Sequence, residues 1–267
     1  MSYYFIWLIL SRITGNPIGA GLVMVVAWFV VDRYTLGLLP DPFRFIAKRR
    51  REWALAYNMR MNPHDRRSRL ELAQLLVARK QPKRAVELLR PNLEHGDDDL
   101  ETLFVMGSAC MGAGFADQGE RFLAHVIEND ADFRVGEVFL VLGRGRLKQR
   151  NFEGAKAALT TYLKHRAGTV EGRVLLARAL LGLGDDASAA MMKDQAWAEF
   201  THAPRFQRRM ERMWAWRAQP LRPALYLVIV AIVAFTVVKT VMPTLAEWSH
   251  RATGSDYVDP TLQDPDE

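Results

Sequence analysis

The chain has 267 residues, 49% hydrophobic and 25% charged, with a formal net charge of +6 at pH 7. That composition is too apolar for a disordered chain and too ordinary for a fibrous one, and the length suits one or two domains. The single cysteine, Cys110, excludes an intramolecular disulfide framework. The positive excess sits in two flanks, each beside an apolar segment. One holds Arg44, Lys48, Arg49, Arg50 and Arg51; the other holds Arg205, Arg208, Arg209, Arg212, Arg217 and Arg222. Placed there, the charge reads as juxtamembrane and not as a nucleic-acid footprint. Membrane lipids are therefore expected as partners, and nucleic acid is not.

In chain order, residues 1–39 are expected to hold an interfacial segment and a membrane helix. Residues 2–13 carry Tyr3, Tyr4 and Trp7 but are too short to span a bilayer. Asn16 and Pro17 make a helix start, an N-cap followed by proline at the first helical position. Residues 17–39 are read as the membrane helix. One bent helix through both stretches, or a hairpin that enters and returns, fits the same residues. Leu39-Pro40-Asp41-Pro42 then breaks the helix. Residues 40–65 read as a basic linker helix, with apolar Phe45, Ile46, Trp53, Leu55 and Ala56 covering the start of the repeat region.

From residue 66 to 203 the chain repeats itself. An apolar-then-small pair recurs as Leu72-Ala73, Met106-Gly107, Leu142-Gly143 and Leu176-Ala177, at steps of 34, 36 and 34 residues. A second small residue recurs as Ala85, Gly119, Ala155 and Ala189, and a bulky one as Leu89, Leu123 and Leu159. This period resembles that of the tetratricopeptide repeat (TPR) family. The resemblance implies four helical pairs, none able to bury its apolar face alone. The small residues let paired helices approach, and the leucines are expected to fill the gaps between repeats. Ala131 stands where the family usually has proline after an acidic residue. Asn62-Pro63 does match, and places a second-helix-like segment ahead of the first full repeat.

Residues 204–222 form a basic amphipathic helix with Phe206, Met210, Met213 and Trp214 on one face. Capping the solenoid and lying in a membrane plane both fit it. Residues 223–243 read as a second transmembrane helix, and residues 244–267 as an acidic, disordered tail. The expected fold class is thus all-α, a four-repeat TPR helical solenoid flanked by N- and C-terminal transmembrane helices. The basic flanks place the repeat region on the cytoplasmic side of a cell membrane, taken to be a bacterial inner membrane, with the C-terminal tail outside.

No catalytic constellation emerges, so the chain is not read as an enzyme, and no cofactor or metal is expected. The six histidines have no ligand spacing. Cys110 occupies a packing position and reads as a core thiol. The resemblance puts the functional surface on the concave face lined by the first helices. By register that face holds Leu70, Gln74 and Val77, then Phe104, Ser108 and Met111, then Leu140, Arg144 and Lys148, then Val174, Arg178 and Leu181. The chaperone-binding branch of the family uses a Lys/Asn carboxylate clamp. Gln74, Ser108, Arg144 and Arg178 stand at its positions, so that clamp is missing. The groove, apolar at one end and basic at the other, suits a protein partner with an acidic-apolar segment. Alternatively Arg144 and Arg178 simply pair with Glu137 and Glu171. The expected function is a membrane-anchored adaptor or assembly factor. An enzyme-associated or regulatory membrane subunit, or a purely structural one, are the alternatives.

Overall fold

The structure, a computed structural model, describes residues 42–96 and 98–225 and positions 23, 228 and 232. Helix α1 (Pro42–Met61) precedes four pairs. These are α2 (Arg66–Ala78) with α3 (Pro82–Glu94), α4 (Leu100–Ala113) with α5 (Ala116–Asn129), α6 (Glu137–Lys148) with α7 (Phe152–His165), and α8 (Val170–Gly182) with α9 (Asp186–His202). Helix α10 (Arg205–Ala218) follows. From α1 to α9 each helix packs on its successor, and the first helices α2, α4, α6 and α8 also pack on one another. Contacts only between neighbours in sequence or in repeat are the mark of a solenoid. Residues 1–215 and 216–267 form two compact units, the boundary falling inside α10. In the second, the chain leaves the helix at Gln219-Pro220 and is helical again over 221–225, where Leu221 and Leu225 are exposed.

The helices start where local chemistry provides a cap. Asp65, Asp99, Asn151, Thr169 and Asp185 each accept a hydrogen bond from the backbone N–H three residues on. This satisfies one of the donors a helix N-terminus leaves free. Hydrogen bonding from the side chains of Ser68 and Ser188, and then from their backbone N–H groups, holds the carboxyls of Asp65 and Asp185 below the ordinary aspartate value.

The core follows the repeat register. Ala73, Ala85, Leu89, Leu123, Ala155, Leu159, Ala177 and Ala189 are wholly buried. Burial of each leucine contributes about 1.5–3 kcal/mol. The leucines do not merely fill gaps between repeats, as the spacing suggests. Each of two is aimed at the small residue on the first helix of its own repeat. A Cβ built on Gly107 would lie 2.8 Å from Leu123 Cγ. Met111 bridges repeats instead: a Cβ on Gly145 of the next first helix would overlap its Cε. Cys110 is buried in the same core, and burial pushes its thiol up.

The array extends past both ends of the four pairs. Leu55 of α1 sits at the register of Leu89, Leu123 and Leu159, and it is buried against the first repeat. Glu52 of α1 pairs with Arg79, and Arg51 with Glu71 at 2.7 Å. The opposite face of α1 leaves Ile46, Trp53, Tyr57 and Met61 exposed. At the other end, Trp214 of α10 packs against the core of the last repeats, while Phe206, Met210 and Met213 are exposed. The single apolar face expected for residues 204–222 is therefore split. Gln207 Nε2 donates to Gly168 O at 3.5 Å, which ties α10 to the turn before α8. Burial raises the carboxyl of Glu211, partly offset by a hydrogen bond from Gln207 and by Arg166.

The longer step between the second and third repeats appears as a tight insertion after α5. Arg134, Val135 and Gly136 have φ of 50°, 57° and 71°. Three consecutive left-handed residues, one of them β-branched, are costly for L-amino acids, about 1–2 kcal/mol for each non-glycine. The expected missing proline at Ala131 thus coincides with a specific turn.

The expected flanking transmembrane helices are corrected. Among the described residues no helix is long and apolar enough to cross a membrane. Helix α1 has the length, at 20 residues, but carries Lys48, Arg49, Arg50, Arg51, Glu52 and Arg60. The stretches 17–39 and 223–243 lie outside the described residues, apart from Val23, residues 223–225, Val228 and Ile232. The interfacial segment 2–13 and the tail 244–267 lie wholly outside them. The membrane-anchored adaptor, the cytoplasmic solenoid with an outside tail and the cell-membrane location all rested on those helices, and are set aside with them.

Candidate functional site: the first-helix face

The face predicted to bind a partner is built by α2, α4, α6 and α8, which stack side by side. Its predicted residues divide by burial. Phe104, Met111, Leu140 and Val174 are buried, so they support the face from beneath. Leu70, Gln74, Val77 and Ser108 are half-buried. Arg144, Lys148, Arg178 and Leu181 are exposed. Ser108 Oγ is itself buried and has no hydrogen-bond partner among the described residues.

Polar positions on this face are bonded from one first helix to the next. Gln74 Nε2 donates to Glu101 Oε1 at 2.6 Å, 27 residues on. Arg144 pairs with Glu171, also 27 residues on. At the second repeat the register partner of Ser108 is Glu137, 29 residues on because of the longer step, but Glu137 pairs with Arg134 and Ser108 Oγ makes no hydrogen bond. At the fourth repeat Arg178 is exposed and makes no hydrogen bond or ion pair among the described residues. Among the described residues, neither Arg178 nor Lys148 has an ion-pair partner. The alternative in which both arginines are internally paired therefore holds for Arg144 with Glu171. Glu137 pairs instead with Arg134, at 3.5 Å.

Arg134 was not among the predicted site residues, and neither were Phe133, Glu101 and Glu171. The insertion brings the first two onto the face. Arg134 Nε donates to Glu101 Oε2 at 3.1 Å, and its Nη2 pairs with the other carboxylate oxygen. Its guanidinium lies 4.9 Å from the Phe104 ring centre and 5.9 Å from that of Phe133. Phe104 and Phe133 are 5.5 Å apart, tilted by 54°. The base of the insertion is held separately: His165 Nδ1 is 2.7 Å from Asp132 Oδ1, and the His165 ring stacks on Phe139 at 5.5 Å. The step of 36 residues in place of 34, with Ala131 in place of the family's proline, is the signal in the sequence that this segment differs.

Nothing on the face has the arrangement of a catalytic site. Among the described residues no group of three or more His, Cys, Asp and Glu could hold a metal ion. The other buried-side ion pairs, Arg146 with Glu120 at 2.8 Å and Arg173 with Glu199 at 3.0 Å, tie first helices to second helices and serve the packing.

No family model matches the chain, and no curated protein sequence matches it. Several solved structures resemble it at low identity. The crystal structure of MamA protein is 16% identical, with a TM-score of 0.47 over 55% of this chain and 80% of that one. A thermophilic TPR protein in Thermus thermophilus is 20% identical, with a TM-score of 0.45 over 66% and 94%. YrrB, a TPR protein with an unusual peptide-binding site, is 16% identical, with a TM-score of 0.40 over 62% and 93%. At such values the likenesses carry no argument about what this chain binds. The helix pairs, their near-constant period and the shared burial register support a helical-repeat fold of the TPR kind.

Proposed function

We propose that the chain is a helical-repeat interaction scaffold, and that the basic end of its first-helix face captures an acidic-apolar segment of a partner protein. The observation that carries this reading is the missing bond at the fourth repeat. Arg178 stands at the register of Gln74 and Arg144 but, among the described residues, makes neither a hydrogen bond nor an ion pair. Lys148, one turn beyond Arg144 on the neighbouring first helix, is exposed as well. Leu181, 42% exposed, supplies apolar surface one turn from Arg178. A carboxylate there would find a planar guanidinium fork able to donate two parallel hydrogen bonds. Arg144 is itself exposed and is held by a single pair, with the half-buried Glu171, so a competing carboxylate can reach it from the solvent side.

The test is co-purification of the full chain with a stoichiometric partner, repeated with Lys148→Glu and Arg178→Glu together. The charge reversal should remove the partner and leave the melting temperature within a degree or two, on the order expected for exposed substitutions. Undiminished retention by the folded double variant would place the partner elsewhere.

A further inference from the structure

The geometry points to a second binding position on the first-helix face, at the second repeat, that takes a segment carrying an aromatic residue next to an arginine; the chain's own Phe133-Arg134 fills it in this structure. The position is distinct from the basic end at the fourth repeat and has the opposite charge preference, so it stands whether or not an acidic partner binds there.

Its walls are Phe104, Glu101 and Gln74. Phe104 offers a ring that is only 4% exposed, with Phe133 and Arg134 lying against it. Glu101 offers a carboxylate that takes both Nε and Nη2 of Arg134 and also the Gln74 amide. An aromatic ring beside a carboxylate selects a guanidinium on two counts. The ring face attracts the cation, and the carboxylate accepts its fork of N–H donors. A neighbouring aromatic side chain then covers the rest of the Phe104 ring in a tilted arrangement.

Three features mark Phe133-Arg134 as an occupant and not as part of the frame. The pair lies in the lengthened step of the repeat, which the other repeats lack. Its backbone is held left-handed through Arg134, Val135 and Gly136, a conformation that only local contacts would maintain. Its ion pair with Glu101 is partly solvent-exposed on both sides. Phe104 is a buried member of the main core cluster, whereas Phe133 is only half-buried against it. Asp132 and His165 tie the base of the insertion to α7, and Arg134 also meets Glu137 of α6 at 3.5 Å, so release of the tip breaks that exposed pair together with the one to Glu101. A partner segment with the same aromatic-arginine pair would compete with a tethered copy whose effective concentration is on the order of millimolar. Occupancy by the chain itself therefore raises the threshold for binding.

The probe is the peptide Asp-Ala-Asp-Phe-Arg-Val-Gly, identical to residues 130–136, with blocked ends. It is titrated against the full chain and against a Phe133→Ser, Arg134→Ser double variant, followed by amide chemical shifts. The double variant should bind the peptide saturably and at least tenfold more tightly than the parent. Binding should be lost when the peptide's Phe and Arg are both replaced by Ser, or when Glu101→Gln is added to the variant. Equal binding by the parent, or no saturable binding by the folded variant, overturns the inference. So does unfolding of the variant, because an occupant cannot be essential to the fold. A second readout needs no peptide. Glu101→Gln in the otherwise unaltered chain should speed tryptic cleavage after Arg134 several-fold with little change in melting, and an unchanged cleavage rate overturns the inference.

Discussion

Gly143 and Leu159 touch so closely that a Cβ built on the glycine would stand 2.5 Å from Leu159 Cγ. The pair joins α6 to α7 and repeats the relationship of Gly107 with Leu123 in the preceding pair. At both places the leucine fills the volume that the missing side chain vacates. The equivalent first-helix residues Ala73 and Ala177 are wholly buried, so the outer repeats accommodate a methyl group at this register.

Gly143→Leu and Gly107→Leu should each destabilise the array by about 1–3 kcal/mol or more, because an inserted side chain must displace a buried leucine in a close-packed interior. Thermal melting followed by far-UV circular dichroism checks this. Curves that overlay the parent's would mean that these helices do not pair as described.

Leu55→Ala should cost about 2–3 kcal/mol, the lower part of the range for buried leucines, since α1 lies at the end of the array. Its neighbour on the exposed side, Trp53, should be nearly neutral when changed to Ala, at 74% exposure. Equal losses at the two positions in denaturant titrations would contradict the packing of α1 on the first repeat.

Cys110 should react with a disulfide reagent at least about tenfold more slowly in the folded chain than in denaturant, because a buried thiol is both inaccessible and harder to ionise. Rapid stoichiometric labelling under native conditions would show that the second repeat opens readily.

Glu211 and the two capping aspartates set opposing pH dependences. Burial raises Glu211 above its ordinary 4.5, so the folded chain binds that proton more tightly than the unfolded chain does. Its contribution is then a penalty, present once pH exceeds the folded value and relieved as pH falls below 4.5. Asp65 and Asp185 are lowered from 3.8; their stabilisation is complete above that value and disappears as pH falls through the folded value. Glu211→Gln should therefore remove a decline in melting temperature that the parent shows as pH rises from 4.5 towards neutrality, and leave the acid-side loss in place. A variant whose melting profile still declines over that interval would point to a different group.

Much of the scaffold is legible in the sequence. The apolar-small pairs, the second small residue and the leucines sit at fixed spacing because two helices can approach closely only where one of them lacks bulk. That constraint acts within about one repeat, so it leaves a periodic trace in the chain. The same reasoning placed Cys110 in the core and the second-helix-like segment before residue 62. The flanking membrane helices were an over-extension from apolar composition and basic flanks. Among the described residues the one helix long enough, α1, is heavily charged and packs through Leu55 on the first repeat.

The binding face was legible only as a set of register positions. Register states which helix face a residue occupies; it does not say what else will cover that face. Phe104 was placed on the face and lies beneath it, because a segment 29 residues further along folds back over its ring. Arg134 meets Glu101 across 33 residues, and Arg144 meets Glu171 across 27. These pairings depend on the stacking of whole repeats, which leaves no residue pattern, and on one turn of left-handed backbone, of which the chain shows only a lengthened step. Pairing of helices follows from spacing along the chain, whereas the exposure and charge of the surface they form depend on contacts that exist only once the repeats have stacked.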